Sequence, residues 1–333
     1  MQALIWHGPH RHEHGDVPEP TPGPGEVLVQ VHRAGICGSD VTAHKGLMGI
    51  SRPGAVRGHE FAGVLAGGAD GWRAGERVAV NPVLVCGTCD RCRAGRSSCC
   101  PDLEIIGVHR AGAFAELVAV PVTALHKLPD GLSYETAAGV EPLAQACHDV
   151  ELARRHGPLG NTLVIGAGSI GAWIVQALQW AEPSAVTVVD PDPRRRDAAL
   201  RWGATVVAAT DDLPRRSFDT VFDVVGVPAT RRAAVDACAG GGTVVAVGLG
   251  ADESAIGWFD VVRREIVVQG ANTFTDDSYR KALDLLATGR VEVPEARVLP
   301  LTDGGAVFTA MASGTDPFAG KTFLAPDRAP VVT

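Results

Sequence analysis

A chain of 333 residues, 46% hydrophobic and 20% charged, is long enough for two domains with a core each and is read as globular. The net charge is -8, and the arginine pairs (Arg154/Arg155, Arg215/Arg216, Arg231/Arg232, Arg263/Arg264) are scattered rather than gathered into a stripe, which disfavours a nucleic-acid partner. The opening "MQALIWHGPHRHEHGD" has no basic head followed by a long apolar run, so no secretory signal is read and the expected address is the cytoplasm.

The histidines of that opening, His7, His10, His12 and His14, lack regular ligand spacing, and a solvated hairpin is expected there. From Glu26, "EVLVQVHRAGI" alternates apolar and polar residues as a half-buried strand does, after the turn-rich "PEPTPGPG". Short strands are predicted at "FAGVLAG", "ERVAVNP" and "AFAELVAVP", so the first part reads as β-rich. After about residue 145 strand and helix alternate. "TLVIG" leads into helix-length "SIGAWIVQALQWA", then come "AVTVVD", "RRRDAALRWGA", "ATVVAA", "FDTVFDVVG", "ATRRAAVDACA" and "GTVVAVGLG", a pattern that predicts a parallel sheet covered by helices. Thr162 to Ala181 is uncharged and near membrane-span length, but Gly166, Gly168, Gly171, Gln176 and Gln179 interrupt it, and no membrane span is expected. The tail after about residue 286 is turn-rich and is expected to fold back onto the first domain.

Five of the eight cysteines fall in "CGTCDRCRAGRSSCC", residues 86–100. A large protein in a reducing compartment gains little from disulfides, so metal binding leads. Cys86, Cys89, Cys92 and Cys100 follow C-x2-C-x2-C-x7-C, a spacing that lets one loop wrap four thiolates around a tetrahedral zinc. Such a site has no open position and serves stability, not catalysis. Cys99 is the spare.

"GAGSIG", comprising Gly166, Gly168, Ser169, Ile170 and Gly171, follows an apolar strand and opens a helix, the context in which glycines admit a pyrophosphate to a helix N-terminus. Asp190 ends the next strand, where a carboxylate accepts hydrogen bonds from the adenosine ribose and repels a 2'-phosphate, so NAD is preferred over NADP. Arg194, Arg195 and Arg196 stand close enough to blunt that preference, with Arg195 near the adenine or the ribose. If the cysteine lobe is a clamp, the reactive centre lies elsewhere. Candidates are Cys37 in "GICGSD", His59 and Glu60 in "RGHEFAG", and Glu141 in "GVEPLA", none of them marked by generic spacing.

Taken in order, "GICGSD", "GHEFAG", the four-cysteine lobe, "GAFAELVAVP", "EPLA", "GAGSIG" with Asp190, and "FDTVFDVVG" through "GGGTVVAVG" give a chain that resembles the zinc-dependent medium-chain alcohol dehydrogenases over nearly its whole length. "GHE" with "EPLA" is most similar to the sorbitol, polyol and threonine dehydrogenase branch. The resemblance implies an α/β protein: a GroES-like catalytic domain at residues 1–144 and 286–333 carrying the 86–100 lobe, and a Rossmann domain at 145–285. It implies two zinc ions. The catalytic one is held by Cys37 and His59 with Glu60 or Glu141, or each in turn, and the structural one by the lobe. His59 is expected as the constant ligand and Glu60 as an exchangeable one, because adjacent residues in extended chain point to opposite faces unless the backbone bends. Ser39 resembles the hydroxyl that begins a proton relay. Many relatives place a histidine five residues after the zinc cysteine, whereas this chain has Thr42 there and His44 beyond it. The implied reaction is hydride transfer between a secondary alcohol, on a polyol, sugar or cyclitol, and NAD, in a homodimer or homotetramer. Threonine or a simple secondary alcohol is the alternative substrate, and a non-catalytic nucleotide- and zinc-binding protein is the reading from another class.

Overall fold

The computed structural model describes residues 1–49 and 52–326. They fall into two compact units, Met1–Glu141 with the chain from Thr275 onward, and Pro142–Phe274.

The first unit is organised around the Glu26–Gly35 strand, whose buried Val27, Val29, Val31 and Ala34 supply the alternation read from the sequence. This strand lies inside a seven-stranded sheet, antiparallel to Leu117–Pro121 along its first half and to Glu60–Leu65 along its second. Lys321–Ala325 also pairs antiparallel with it, at Ala34 and Gly35. The last strand of the described chain thus returns to the first domain and begins beside residues near position 36. Phe61, Leu65, Val78, Val80, Phe114, Val118 and Val120 close the core over this sheet.

The histidine-rich opening does form a hairpin, Gln2–Gly8 with Arg11–Asp16, but it is not uniformly solvated. His12 is buried, its Nδ1 lies 2.8 Å from Nδ1 of buried His44, and its ring stacks on Phe308 with centroids 4.3 Å apart. Desolvation, with the nearby His44 acting the same way, pushes His12 down to about 3, so the pair stays neutral.

The second unit holds six parallel strands, Asn161–Ile165, Ala185–Val189, Thr205–Val207, Phe218–Asp223, Cys238–Ala246 and Val267–Gly270. Numbered in chain order, they lie side by side as 3-2-1-4-5-6, the doubly wound dinucleotide-binding order. Leu163, Ile165, Val189, Val221 and Val244 pack their common core. No helix among the described residues is long and apolar enough to cross a membrane.

The units divide at 141/142 and 274/275, where the sequence led us to expect 144/145 and 285/286. The difference is the helix Asp276–Ala287, which belongs to the first unit. Tyr279 is fully buried with its ring 4.7 Å from that of His126, and Asp276 accepts from Asn81 Nδ2 at 3.2 Å while facing His126 Nε2 at 3.0 Å. An amphipathic period shows that a helix has an apolar face, not which domain that face covers.

The hydrogen bonds from His126, Arg280 and Asn81 hold the Asp276 carboxyl below the usual range, against some desolvation. A depressed folded value gives stability that is present above the unfolded carboxylate value of about 3.9 and is lost as the pH falls through the folded one. Because the side chain is 45% exposed, Asp276→Ala is expected to cost about 1 kcal/mol at pH 7. Denaturant midpoints should show that deficit holding down to about pH 4 and shrinking below it; a deficit independent of pH would assign the loss to packing instead.

Candidate active site

Cys37 follows the end of the Glu26–Gly35 strand and caps the helix Gly38–His44. His59 precedes the Glu60–Leu65 strand, and Glu60 opens it, directly opposite Gly35 in the antiparallel ladder. The divergence expected of neighbouring residues is relieved at Gly58, whose φ of +99° bends the chain just before His59. As a result one ligand atom each from Cys37, His59 and Glu60 lie within 4.8 Å of one another, all buried.

Asp40, completely buried, organises two of these groups. Its Oδ2 accepts from the Cys37 backbone N–H at 3.1 Å, and its Oδ1 accepts from Arg57 Nε at 3.3 Å and lies 3.7 Å from His59 Nδ1. With Nδ1 turned to a carboxylate, the ring's Nε2 is left as the donor for a metal. Lys321, 4% exposed, donates from Nζ to the Ile36 carbonyl at 3.0 Å and pairs with Glu60 Oε2. Glu60 Oε1 and His59 Nδ1 have no hydrogen-bond partner among the described residues.

Desolvation pushes the Cys37 thiol up to about 12, Glu60 and Asp40 act the same way, and Lys321 and a hydrogen bond with Ser39 oppose them. Glu141, at the start of the helix Val140–Arg154, is only partly exposed and lies outside the 4.8 Å group. Desolvation raises its carboxyl to about 8, with Glu60 and Cys37 adding to the rise and His59 and Lys321 opposing it. Buried groups that must lose protons to act as ligands, one of them with an unpartnered oxygen, form a donor set suited to zinc, whose charge would offset their desolvation.

Ser39 is half-buried next to the cluster. Thr42 Oγ1 donates to the Gly38 carbonyl at 3.0 Å, and His44 is committed to His12. The histidine two positions beyond Thr42 therefore does not replace the relay histidine of the resemblance.

In the lobe, the Sγ atoms of Cys86, Cys89, Cys92 and Cys100 also lie within 4.8 Å of one another, while Cys99 is exposed and outside the group. Cys86–Cys92, Cys89–Cys100 and Cys86–Cys100 are 4.0, 3.9 and 3.5 Å apart. Four thiolates at about 2.3 Å from one tetrahedral zinc would be about 3.8 Å apart, so the four residues fit a closed site.

In the second unit, Gly166 has φ +94° and joins the Asn161–Ile165 strand to the helix Ser169–Ala181. A Cβ on Gly171 would overlap the Gly166 carbonyl, whereas one on Gly168 would meet only Arg195 Nη1, so the space over Gly168 is free for a ligand. Asp190, buried, accepts from Ala167 N–H and Asp192 N–H at 2.8 Å each, and Arg195 Nη1 is 3.6 Å from its Oδ2. Each carboxylate oxygen keeps a second lone pair.

Sequence reasoning did not single out Asp40, Arg57 or Lys321. Asp40 had a signal, its position three residues after Cys37, where a carboxylate can reach back to the cap N–H. Lys321 had none, since it stands 285 residues from Ile36 and nothing local marks it.

Two family models match the chain, the alcohol dehydrogenase GroES-like domain over residues 23–130 and the zinc-binding dehydrogenase model over residues 169–288. The chain is 32% identical to the 2-dehydro-3-deoxy-L-galactonate 5-dehydrogenase of Pseudoalteromonas atlantica, covering 87% of this chain and 89% of that one. It is 30% identical to the L-threonine 3-dehydrogenase of Xanthomonas euvesicatoria, covering 92% and 94%. Among solved structures it is similar to a zinc-binding dehydrogenase from Sinorhizobium meliloti bound to NADP (TM-score 0.85, 29% identity, 98% and 99% covered). It is also similar to the acetophenone reductase of Geotrichum candidum in complex with NAD (TM-score 0.89, 26% identity, 97% and 96% covered). With a GroES-like unit that gathers Cys37, His59 and Glu60 and a doubly wound unit that carries the glycine loop, the chain belongs to the zinc-dependent medium-chain dehydrogenase family.

Proposed function

We propose that this chain is a cytoplasmic, NAD-linked dehydrogenase that interconverts a secondary alcohol on a polyol, sugar, sugar acid or cyclitol with its ketone. The observation that carries this reading is the convergence of Cys37, His59 and Glu60 in a chain of this family. The relative named as a galactonate-type dehydrogenase supports the substrate class, and the one named as a threonine dehydrogenase keeps threonine as the competitor. None of the eight cysteines, all among the described residues, is in a disulfide, and thiolate ligands persist in a reducing compartment.

Cys37 and His59 would hold the catalytic zinc, with Glu141 or Glu60 as the further protein ligand, and Cys86, Cys89, Cys92 and Cys100 the structural one. When bound, the catalytic zinc supplies a Lewis acid that polarises the substrate oxygen. Asp40 fixes the orientation of His59 and the Cys37 backbone, so the donors need little reorganisation. The Ser39 hydroxyl, half-buried beside Cys37, would take up the alcohol's proton while releasing its own toward solvent. Asp190 would accept from the adenosine ribose hydroxyls and disfavour a 2'-phosphate, and Arg195, 3.6 Å from its Oδ2, would moderate that preference. When bound to the second unit, the dinucleotide would supply a nicotinamide ring as the hydride acceptor. Self-association is assigned to the edge strand Val267–Gly270 and the neighbouring helix Trp258–Arg263, where Phe259, Val262 and Trp258 are 81%, 72% and 64% exposed.

Metal analysis should give two zinc ions per chain. Cys37→Ser should lose one of them and at least about a thousandfold in kcat/KM, roughly 4 kcal/mol, whereas Cys86→Ser should lose the other and lower Tm. A single zinc unaffected by Cys37→Ser would favour the non-catalytic reading. In an oxidation panel of sugars, sugar acids, cyclitols, threonine and 2-butanol with NAD, polyol-type compounds should lead, and a preference for threonine would overturn that substrate class. Asp190→Ser should move the NAD-to-NADP ratio of kcat/KM toward NADP by about tenfold or more, 1.4 kcal/mol per decade; an unchanged ratio would remove Asp190 from cofactor selection.

A further inference from the structure

Lys321 is a lysine buried at the edge of a metal-binding cluster, a position that is costly unless its charge has a use. Its ammonium is anchored on one side by the Ile36 carbonyl at 3.0 Å and on the other meets Glu60 Oε2. The two charges meet over Gly35, the residue directly opposite Glu60 in the ladder. A Cβ at Gly35 would overlap Glu60 Oε2 and come within 3.0 Å of Lys321 Cε, so the notch that receives the carboxylate exists only because residue 35 has no side chain. The other oxygen, Oε1, is buried without a hydrogen-bond partner, in a carboxylate that also counts among the three donors within 4.8 Å.

Glu60 thus has two competing cationic partners, one present in the chain and one implied by the donor set. We propose that Lys321 is a positioning residue that retains Glu60 as its own counter-ion in the notch over Gly35, and so keeps this carboxylate from becoming a standing ligand of a metal at Cys37 and His59. The inference rests on the metal site proposed above. Charge explains the benefit. A thiolate at Cys37 with Glu141 as the further ligand would already match a divalent ion's charge, so a standing Glu60 would turn the site net negative, whereas the Lys321 ammonium offsets Glu60 and spares the ion that additional charge. Glu60 remains close enough to exchange in when another ligand leaves, which matches the exchangeable role read from the sequence.

The test uses the full-length protein with its catalytic zinc replaced by Co2+, whose visible d–d absorption reports the ligand set. Release of that Co2+ into a chelator is timed alongside. Lys321→Met should shift the band and slow release by about tenfold or more, because Glu60 is then free to ligate. The Lys321→Met/Glu60→Gln double variant should restore both band and release rate, and Glu60→Gln alone should change release by no more than about threefold. Acceleration of release by about tenfold in Glu60→Gln alone would make Glu60 a resting ligand and overturn the proposal. A Lys321→Met effect that persists in the double variant, or no effect at all, would overturn it equally. Should Lys321→Met fail to fold, Glu60→Gln and Lys321→Gln decide, the latter being expected to slow release to an intermediate extent and a wild-type rate counting against the proposal. A Co2+ band that disappears in Cys37→Ser upholds the metal site whatever these variants do, and its absence from the unaltered chain would overturn both the site and the role of Lys321.

Discussion

Gathering a thiol and carboxyl groups in a desolvated pocket is unfavourable unless positive charge is supplied, and much of the first unit answers that constraint. Desolvation and mutual repulsion drive Cys37 and Glu141 toward their protonated forms, up to about 12 and about 8. Two buried cations, Arg57 against Asp40 and Lys321 against Glu60, offset part of the load. The remainder is what a bound divalent metal would offset. Removing one partner from such a set is far more costly than the net worth of the set, because the other is left charged and dry.

The sheet brings these charges together through its ends. Cys37 lies just beyond the carboxyl end of Glu26–Gly35, Glu60 is the first residue of the antiparallel neighbour on one side, and Lys321 opens the neighbour on the other. Three strands from distant parts of the chain therefore deliver a thiol, a carboxylate and an ammonium to one spot with little freedom to adjust. The cysteine lobe solves a simpler problem with local chain alone, since its four sulfurs come from residues 86–100 and already stand at distances a tetrahedral ion would require. The first site depends on tertiary register and the second on a tight loop.

The second unit relies on polarity of the backbone rather than on buried side-chain charge. Its strand order puts the glycine loop at the carboxyl end of the first strand, where helix N–H groups face an incoming phosphate. Asp190 is fixed there by two backbone N–H groups before any ribose arrives, and Arg195 shares the same edge. This unit depends on a chain segment whose pattern repeats every strand and helix, and its sequence was correspondingly easy to read.

Local pattern was enough for the parallel sheet, the glycine loop and the spacing of the lobe cysteines, because each depends on residues close together in the chain. The family resemblance added Cys37, His59 and Glu60, which no spacing rule links. The helix Asp276–Ala287 was not singled out, and most of it was assigned to the Rossmann domain, since nothing local says which unit a segment packs on. His12 was read as part of a solvated hairpin, and its pairing with buried His44 was missed, because a histidine's burial depends on what packs over it. Asp40 could have been found from its capping position, whereas Lys321 could not. Residue types and short-range spacing determined which chemistries this chain can carry out; register between distant strands, and the desolvation that follows from it, decided which charges meet.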